Sequence, residues 1–308
     1  MTAFDLLAVG EAMVLLAPDP PERLRAAGRL RVEVAGAESN VACHLARLGR
    51  RSAFAGRVGS DPFGDVITDR LTAARVACLL LPDPARRTGV FFKDPGPQGT
   101  RVHYYRDGSA ASAMDATLWD DLPPAGIVHL TGITPALSAG CAALVERVLA
   151  ENTSTTTFDV NYRPALWPVQ RAAPVLLELA DQADVVFVGL DEAQHLWGVK
   201  TAEDVRELLP KAGTVVVKDG ANEAVALTAD RMVVVATPRV EVLEPVGAGD
   251  AFAAGYLFGV LTDVSEELRL SLGHQVAGAV LRSAGDLCEL PQPSDLLTAA
   301  KMHWESMR

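Results

Sequence analysis

The sequence of 308 residues is poor in cysteine, in aromatic residues and in positive charge. Its four cysteines are scattered, without a CxxC pair or metal-spaced histidines, so neither a disulfide framework nor a structural zinc site is expected. The net charge is −11 and no block of lysine and arginine occurs, which argues against a nucleic-acid partner. No apolar run approaches the roughly 20 residues that span a bilayer, and the N-terminus lacks a basic leader. We therefore expect a reduced, cytoplasmic protein that binds neither nucleic acid nor membrane.

The apolar segments that are present predict an α/β protein. Residues 4–9 form a continuous apolar run, which is typical of a buried parallel strand. From about residue 125 onward, apolar strands alternate with amphipathic helices: we predict strands at 127–130, 156–160, 185–188 and 214–217, and helices at 138–150, 169–181 and 202–209. This alternation predicts one domain over residues 1–308, a doubly wound, mostly parallel sheet flanked by helices. Ligands of such sheets bind at the carboxyl ends of the strands.

Two segments do not show this alternation of strands and helices. Residues 12–34 contain prolines and alternate between apolar and polar side chains. Residues 88–106 are predicted to form two strands around a Pro/Gly turn at 95–99. The turn predicts a hairpin. We expect exposed, edge-like strands in both segments, forming a small sheet apart from the main core.

The segment PVGAGDAFAAGY at residues 245–256 carries the clearest chemistry. Gly247 and Gly249 can adopt backbone angles closed to other residues, and Ala248 between them leaves the backbone N–H groups unscreened. Those groups stand at the start of an apolar helix, which is where anions bind. Asp250, in the first turn, is placed to act as a general base. A plain glycine turn capped by Asp250 is the alternative, and the segment matches neither a Walker A loop nor GxGxxG.

The run GAGDAFAAGY resembles the C-terminal signature of the PfkB, or ribokinase-like, sugar kinases. The resemblance implies a ribokinase-like fold, ATP and Mg²⁺ as cofactors, Asp250 as catalytic base, and Gly247, Ala248 and Gly249 as the anion hole. It also implies a small β-sheet lid, here drawn from about 12–34 and 88–106. Such a lid closes over the sugar and excludes water, and it often pairs with a second subunit, so a homo-oligomer is expected.

A second stretch, from Gly36 to Asn40 followed by Gly49 and Gly59, keeps the spacing of the family's N-terminal signature. The resemblance implies that Gly36 and Asn40 contact sugar hydroxyls. Without it, an ordinary helix N-cap would be the simpler interpretation. Glu38 departs from the small residue usual in the general pattern, but this GAExN version is similar to the 2-keto-3-deoxygluconate kinase branch.

Two further stretches suggest an acidic substrate. Tyr104 and Arg106 lie together on a predicted strand, and Arg163 lies in a stretch similar to the family's DxNxRxxLW. An arginine guanidinium can donate two parallel hydrogen bonds to a carboxylate, so both arginines suit a sugar acid. The alternative for Tyr104 and Arg106 is side-chain pairing across an edge strand, and the alternative for Arg163 is a salt bridge within its loop. Phe91 stands where the branch has tyrosine in some members, so one hydroxyl contact is expected to be lost.

The resemblance places the remaining candidate site residues near the nucleotide and its metal ion. Glu192 matches a glutamate that organises Mg²⁺ through water, although Gly189 replaces the usual asparagine. Lys218 and Gly220 match the nucleotide loop, and His274 stands near the expected adenine position. Further departures occur at Glu223 and Glu244. The alternative for Glu192 is an acidic residue that stabilises the N-terminus of a helix. The alternative for His274 is a histidine with a purely structural role.

Together, these stretches resemble the 2-keto-3-deoxygluconate kinase branch, and the resemblance implies ATP-dependent phosphorylation of 2-keto-3-deoxygluconate to its 6-phosphate. A neutral-sugar kinase, similar to fructokinase or ribokinase, is the first alternative. A catalytically inactive sugar sensor on the same fold is the second. A dinucleotide oxidoreductase is disfavoured because no GxGxxG follows the first strand.

Overall fold

The computed structural model describes residues 2–97, 99–283, 285 and 287–307. Within this part of the chain, one large sheet contains nine strands, numbered here in chain order together with those of a smaller sheet: β1 (Phe4–Val9), β4 (Ser52–Gly59), β5 (Ala77–Asp83), β8 (Ala125–Thr131), β9 (Thr155–Asp159), β10 (Val185–Gly189), β11 (Thr214–Asp219), β12 (Glu223–Leu227) and β13 (Met232–Ala236).

The large sheet has the order β13-β12-β11-β10-β9-β8-β1-β4-β5. Neighbouring strands from β5 across to β11 are parallel, while β12 and β13 extend the edge as an antiparallel hairpin. β1 lies between β8 and β4, so the chain winds outward in both directions from this point. The predicted doubly wound, mostly parallel sheet is therefore confirmed, with the crevice for a ligand expected above β1 and its neighbours.

The described part of the chain also contains ten α-helices: α1 (Ala37–Arg47), α2 (Pro62–Ala73), α3 (Ile133–Leu137), α4 (Ala139–Glu151), α5 (Val169–Ala180), α6 (Leu190–Trp197), α7 (Ala202–Leu208), α8 (Ala248–Leu261), α9 (Glu266–Leu281) and α10 (Pro293–Glu305). They cover both faces of the large sheet, with α1, α8, α9 and α10 in one apolar cluster and α4, α5 and α7 in the other. Helix α8 is buried over 250–259, which explains why it is apolar on all sides.

A separate four-stranded sheet is formed by β2 (Met13–Pro18), β3 (Leu30–Ala35), β6 (Val90–Asp94) and β7 (Arg101–Tyr105), in the order β3-β2-β6-β7; we call it the small sheet. The predicted hairpin around residues 95–99 is confirmed by the antiparallel pairing of β6 with β7. The expectation of exposed, edge-like strands throughout 12–34 is wrong for β2. This strand is buried because β3 and β6 pair with both its edges and Val14 packs against the main core. The same expectation for 88–106 is wrong for β6, because β2 and β7 pair with both its edges and Phe91, Lys93 and Asp94 are buried.

The strands and helices predicted after residue 125 are found close to their expected positions. Each of them has a single hydrophobic periodicity and is bounded by residues that interrupt it. The β12–β13 hairpin and α6 were not predicted. All four cysteines are free thiols. Within residues 2–97, 99–283, 285 and 287–307, the helices are too short or too polar to cross a membrane.

Candidate active site

A cavity of about 850 Å³ lies between the small sheet and the carboxyl-terminal edge of the large sheet. Its lining includes most of the predicted site residues: Gly36, Asn40, Tyr104, Arg106, Arg163, Glu192, Lys218, Gly247, Gly249 and Asp250. A larger cavity of about 970 Å³ beside Arg47 and Arg70 contains none of them. The position of the first cavity agrees with the rule that parallel sheets bind ligands at their carboxyl edge.

Asp250 lies in the first turn of α8 and is buried at the floor of the cavity. The Asn40 side-chain amide donates a hydrogen bond of 2.9 Å to Asp250 Oδ2. The two residues are 210 positions apart, so the fold brings the two signature stretches into direct contact. The hydrogen bond fixes the orientation of the Asp250 carboxylate inside the cavity, where it could lie within hydrogen-bond reach of a ligand hydroxyl.

The turn before Asp250 presents backbone rather than side chains. Gly247 is the N-cap of α8 with a φ of 82°, a left-handed conformation that favours glycine. The first N–H groups of a helix have no partner within it, and together with the helix dipole they attract an anion. A Cβ built on Gly249 would lie 3.6 Å from Lys218 Nζ, so the lysine ammonium stands beside this turn. The turn, the start of the helix and the lysine ammonium together have the geometry and charge that suit an anion.

Gly36 allows close backbone packing at the start of α1. A Cβ on Gly36 would lie 2.2 Å from the Glu11 carbonyl oxygen, which leaves no room for a side chain. The Asn40 N–H donates to the Gly36 carbonyl at 2.8 Å. Gly36 therefore brings the first turn of α1, and Asn40 with it, against the loop after β1.

Arg106 is buried and forms an ion pair with Glu11, whose other oxygen accepts a 3.3 Å hydrogen bond from Ser109 Oγ. Its guanidinium carbon lies 5.6 Å from the centre of the Tyr104 ring, and Tyr104 stacks on Phe91. Glu11 was missed as a site residue. The signal was its position directly after β1, at the sheet edge where ligands bind.

Arg163 has a different environment, although it lines the same cavity. It is exposed, and the hydrogen bond its guanidinium makes is to the neighbouring carbonyl of Tyr162, at 3.3 Å. Two residues before it, Asn161 is buried with a positive φ of 42°, and its Oδ1 has no hydrogen-bond partner among the residues that the structure describes. The two predicted arginines therefore differ in burial and in charge balance.

Lys218 lies near two carboxylates, Asp159 at the end of β9 and Glu192 in the first turn of α6, and against the lowering effect of burial the charges of both raise its pKa. Its Nζ lies 3.0 Å from Asp159 Oδ2. Glu192 is half-buried and accepts backbone N–H groups from Tyr162 and, at 3.1 Å, from Gly189. Burial, and then the nearby charge of Asp159, raise the pKa of Glu192 to about 7. Gly189, the departure from the expected asparagine, thus contributes to this site through its backbone.

These carboxylates do not form a ready-made metal cage. In the described ranges, no group of three or more histidine, cysteine, aspartate or glutamate side chains is arranged to hold a metal ion. A Mg²⁺ ion usually keeps several waters and takes one or two carboxylates together with substrate phosphates. The residues present fit that mode and not an all-protein site.

Two nucleotide-side candidates lie outside the lining of this cavity. Gly220 follows β11 with a positive φ of 47°, and its carbonyl accepts a hydrogen bond from Thr237. His274 is buried on α9 with Nε2 3.2 Å from the Val235 carbonyl, and burial lowers its pKa to about 4. Their contact with a nucleotide stays a prediction.

Glu38, the departure in the N-terminal signature, is fully buried at the cavity wall. Its Oε1 accepts hydrogen bonds of 2.7 Å from the hydroxyls of Thr131 and Thr134, and burial raises its pKa. Space for it comes from Gly10, where a built Cβ would lie 2.2 Å from Glu38 Cδ. The larger residue is thus compensated elsewhere in the chain.

Comparison with known proteins agrees with this geometry. Residues 3–293 match the family model described as pfkB family carbohydrate kinase. The 2-dehydro-3-deoxygluconokinase of Bacillus subtilis (strain 168) is 33% identical over 299 residues, covering 93% of this chain and 92% of the relative.

Solved structures agree as well. A PfkB protein from Polaromonas sp. JS666 superposes with a TM-score of 0.85 at 31% identity, covering 96% of this chain and 99% of that one. An uncharacterized sugar kinase from Pyrococcus horikoshii in complex with ATP has a TM-score of 0.83 at 25% identity, covering 96% and 99%. With the signature residues in contact, and with matches that span nearly the whole chain, the protein belongs to the pfkB family of carbohydrate kinases.

Proposed function

We propose that this protein transfers a phosphoryl group from ATP to 2-dehydro-3-deoxygluconate, another name for 2-keto-3-deoxygluconate, and forms its 6-phosphate. The observation that carries the proposal is the placement of Asp250, buried beside the Gly247 turn, oriented by Asn40, in a cavity that also contains Arg106 and Arg163. The Bacillus relative, a 2-dehydro-3-deoxygluconokinase, supports the choice of substrate.

Asp250 accepts the proton of the attacking hydroxyl, and Asn40 holds the carboxylate in position for it. The N–H groups at the start of α8 and the Lys218 ammonium stabilise the charge that develops beside them. We assign Gly247, Ala248 and Gly249 to the anion hole because side chains there are absent or small. In this scheme the chain provides proton transfer and charge stabilisation at adjoining points of one cavity.

ATP with Mg²⁺ supplies the phosphoryl group and neutralises part of its charge when bound. Glu192 and Asp159 would hold the ion through water. Burial, and then the charge of Asp159, raise the pKa of Glu192, and a divalent cation nearby would favour its charged form. We assign Lys218, Gly220 and His274 to the nucleotide side, and the ATP complex of the Pyrococcus sugar kinase supports ATP as donor.

For the sugar acid, we assign Gly36, Asn40 and Tyr104 to the hydroxyl groups and the two arginines to the carboxylate. Arg106 is already neutralised by Glu11, so Arg163 provides the uncompensated charge for the ligand. The gluconate and galactonate series both satisfy these contacts, and the experiment below includes both.

A neutral-sugar kinase is the second candidate, and the Glu11–Arg106 pair is the observation that favours it. With that pair intact, the buried part of the cavity has one positive and one negative side chain in contact, which suits an uncharged ligand. The difference between the two candidates therefore depends on Arg163.

We also propose that the small sheet is a lid and that it pairs with a second copy of the chain. Leu30 and Val32 on β3 are exposed apolar side chains of this sheet, a feature of surfaces that bind other proteins. ATP as donor and four free thiols fit a cytoplasmic location.

The test is ATP-dependent turnover on 2-keto-3-deoxygluconate, 2-keto-3-deoxygalactonate, fructose, ribose and adenosine, with wild type, Asp250→Asn and Asp263→Asn. Asp263 is the matched control, because it is exposed at the other end of α8 with a φ of 54°, which asparagine tolerates. We expect turnover of keto acids, a loss of about 10²–10⁴-fold in Asp250→Asn and none in the control.

Three other outcomes separate the alternatives. Turnover restricted to a neutral sugar contradicts the acidic substrate. Full activity of Asp250→Asn contradicts the base. Binding of a sugar without turnover of any indicates the sensor.

A further inference from the structure

An ion pair crosses from the small sheet to the segment that leads into the anion-binding turn. Lys93, on β6, is buried at the cavity, and its Nζ lies 3.3 Å from Glu244 Oε2. The other Glu244 oxygen, Oε1, accepts the N–H of Val246 at 3.3 Å. One carboxylate therefore joins the small sheet to the backbone next to Gly247. We call Lys93 and Glu244 the cross-cavity pair.

The segment that receives this contact is otherwise largely exposed. Val242, Leu243 and Val246 are 54%, 66% and 42% exposed, whereas Glu244 is half-buried. The Leu243 N–H anchors the segment to α9 through the Leu281 carbonyl at 2.8 Å. The cross-cavity pair is a second anchor, closer to the turn. Because it fixes the residue before Gly247, it helps to set the direction of the N–H groups that follow.

The other end of the pair belongs to the strand that covers the sugar. Phe91 and Lys93 are two positions apart on β6, so both side chains point from the same face of the small sheet, into the cavity. Phe91 stacks on Tyr104, one of the residues assigned to the sugar. A ligand that orders Tyr104 and Phe91 also orders Lys93, and through Glu244 the turn.

We propose that Lys93 and Glu244 are positioning residues that couple the binding of sugar to the binding of the phosphoryl donor. The proposal rests on the proposed function. Because coupling between two sites is reciprocal, each ligand strengthens the binding of the other by the same factor. Both residues act through the turn and the small sheet.

A stabilising ion pair without coupling would look different, and the small sheet offers one for comparison. Arg31 and Glu33 lie two residues apart on β3, with 2.6 Å between Nε and Oε1. This pair starts and ends on one strand and, within the part of the chain that the structure describes, makes no ion pair or hydrogen bond to the turn. Arg31→Met therefore removes a cation from the same sheet without removing a cross-cavity contact.

The test measures affinity for a non-hydrolysable ATP analogue by calorimetry, with and without saturating sugar, in wild type, Lys93→Met, Glu244→Gln and Arg31→Met. The sugar used is the one that wild type phosphorylates. We expect sugar to strengthen analogue binding about fivefold or more in wild type and in Arg31→Met. In Lys93→Met and Glu244→Gln the ratio is expected to fall to about one.

The charge-reversed double variant Lys93→Glu/Glu244→Lys keeps the measurement decisive if a single variant folds poorly, and it should recover part of the ratio. A wild-type ratio of one overturns the coupling, as does a wild-type ratio in both single variants. If wild type phosphorylates no sugar acid but the ratio behaves as expected with its actual substrate, the proposed substrate fails and the coupling stands.

Discussion

At the sugar end of the cavity (Glu11, Glu38, Asn40, Arg106) the side chains are buried and already paired, whereas the phosphate end (the turn at 245–249 with Lys218) offers mostly backbone groups in exposed chain. The sugar end obtains its geometry from contacts between distant parts of the sequence. The phosphate end obtains its geometry from the left-handed conformation of Gly247. The difference predicts that side-chain changes at the sugar end affect stability and activity together, while changes at the turn affect mainly activity.

Arg106→Met should have the largest effect on stability. It leaves the buried Glu11 carboxylate without its cation, so we expect the free energy of unfolding to fall by about 3–5 kcal/mol. Arg163→Met is the matched change at an exposed position and should alter it by less than about 0.5 kcal/mol. Denaturant unfolding measures both values. Equal losses in the two variants would remove the distinction between the two arginines.

The same two variants should be compared in turnover of the sugar acid. A lost hydrogen bond to a charged group is worth about 10–100-fold, so each should reduce kcat/KM by that amount. Unchanged kcat/KM in Arg163→Met would favour the neutral-sugar kinase.

Gly247→Ala tests the phosphate end. Alanine with a φ of 82° costs about 1–2 kcal/mol, and relaxation of the turn would move the N–H groups away from the anion. We expect kcat to fall at least about tenfold, since one misplaced anion-hole donor costs about 10²–10³. Gly198→Ala, at the end of α6 with a φ of 70°, carries the same strain and should leave kcat unchanged. Equal kcat losses in both variants would mean that strain, not anion binding, causes the effect.

Glu192→Gln should have a smaller effect on stability than Arg106→Met, and that effect should appear as a change in pH dependence. Because the pKa of Glu192 is raised to about 7 in the folded protein, the folded state binds more protons than the unfolded state between about pH 4.5 and 7. Glu192 therefore makes stability fall as pH rises through this window. The glutamine variant lacks this slope and should gain about 2 kcal/mol relative to wild type between pH 5 and pH 7.

Thermal unfolding across this pH range measures the difference. Glu178→Gln, at an exposed position of α5, is the control and should run parallel to wild type. If the stability of Glu192→Gln changes with pH as that of wild type does, the raised pKa of Glu192 is contradicted.

Sequence patterns predicted those parts of the fold that depend on local order. β1 was predicted at its observed bounds, because an uninterrupted apolar run has one stable environment, the centre of a parallel sheet. β2 was misjudged because its burial depends on β6, more than 70 residues later in the chain. Local pattern cannot show which edges of a strand are paired.

The site divides in the same way. Gly247 and Asp250 follow from the chemistry of one short segment, and the structure places them at the start of α8. The Glu11–Arg106 and Lys93–Glu244 pairs join residues 95 and 151 positions apart, and no local pattern indicates either. Charge balance in a cavity depends on three-dimensional proximity, so the sequence showed two arginines but not that one was already neutralised.

The fit of Glu38 against Gly10 also constrains how this protein can change over generations. Alanine at position 10 with glutamate still at 38 places a Cβ 2.2 Å from the Glu38 carboxyl carbon, so this buried side chain would have to move and lose its bonds to Thr131 and Thr134. Replacing Glu38 first leaves a cavity instead of an overlap. We therefore expect the effects of substitutions at positions 10 and 38 to depend on the order in which they occur.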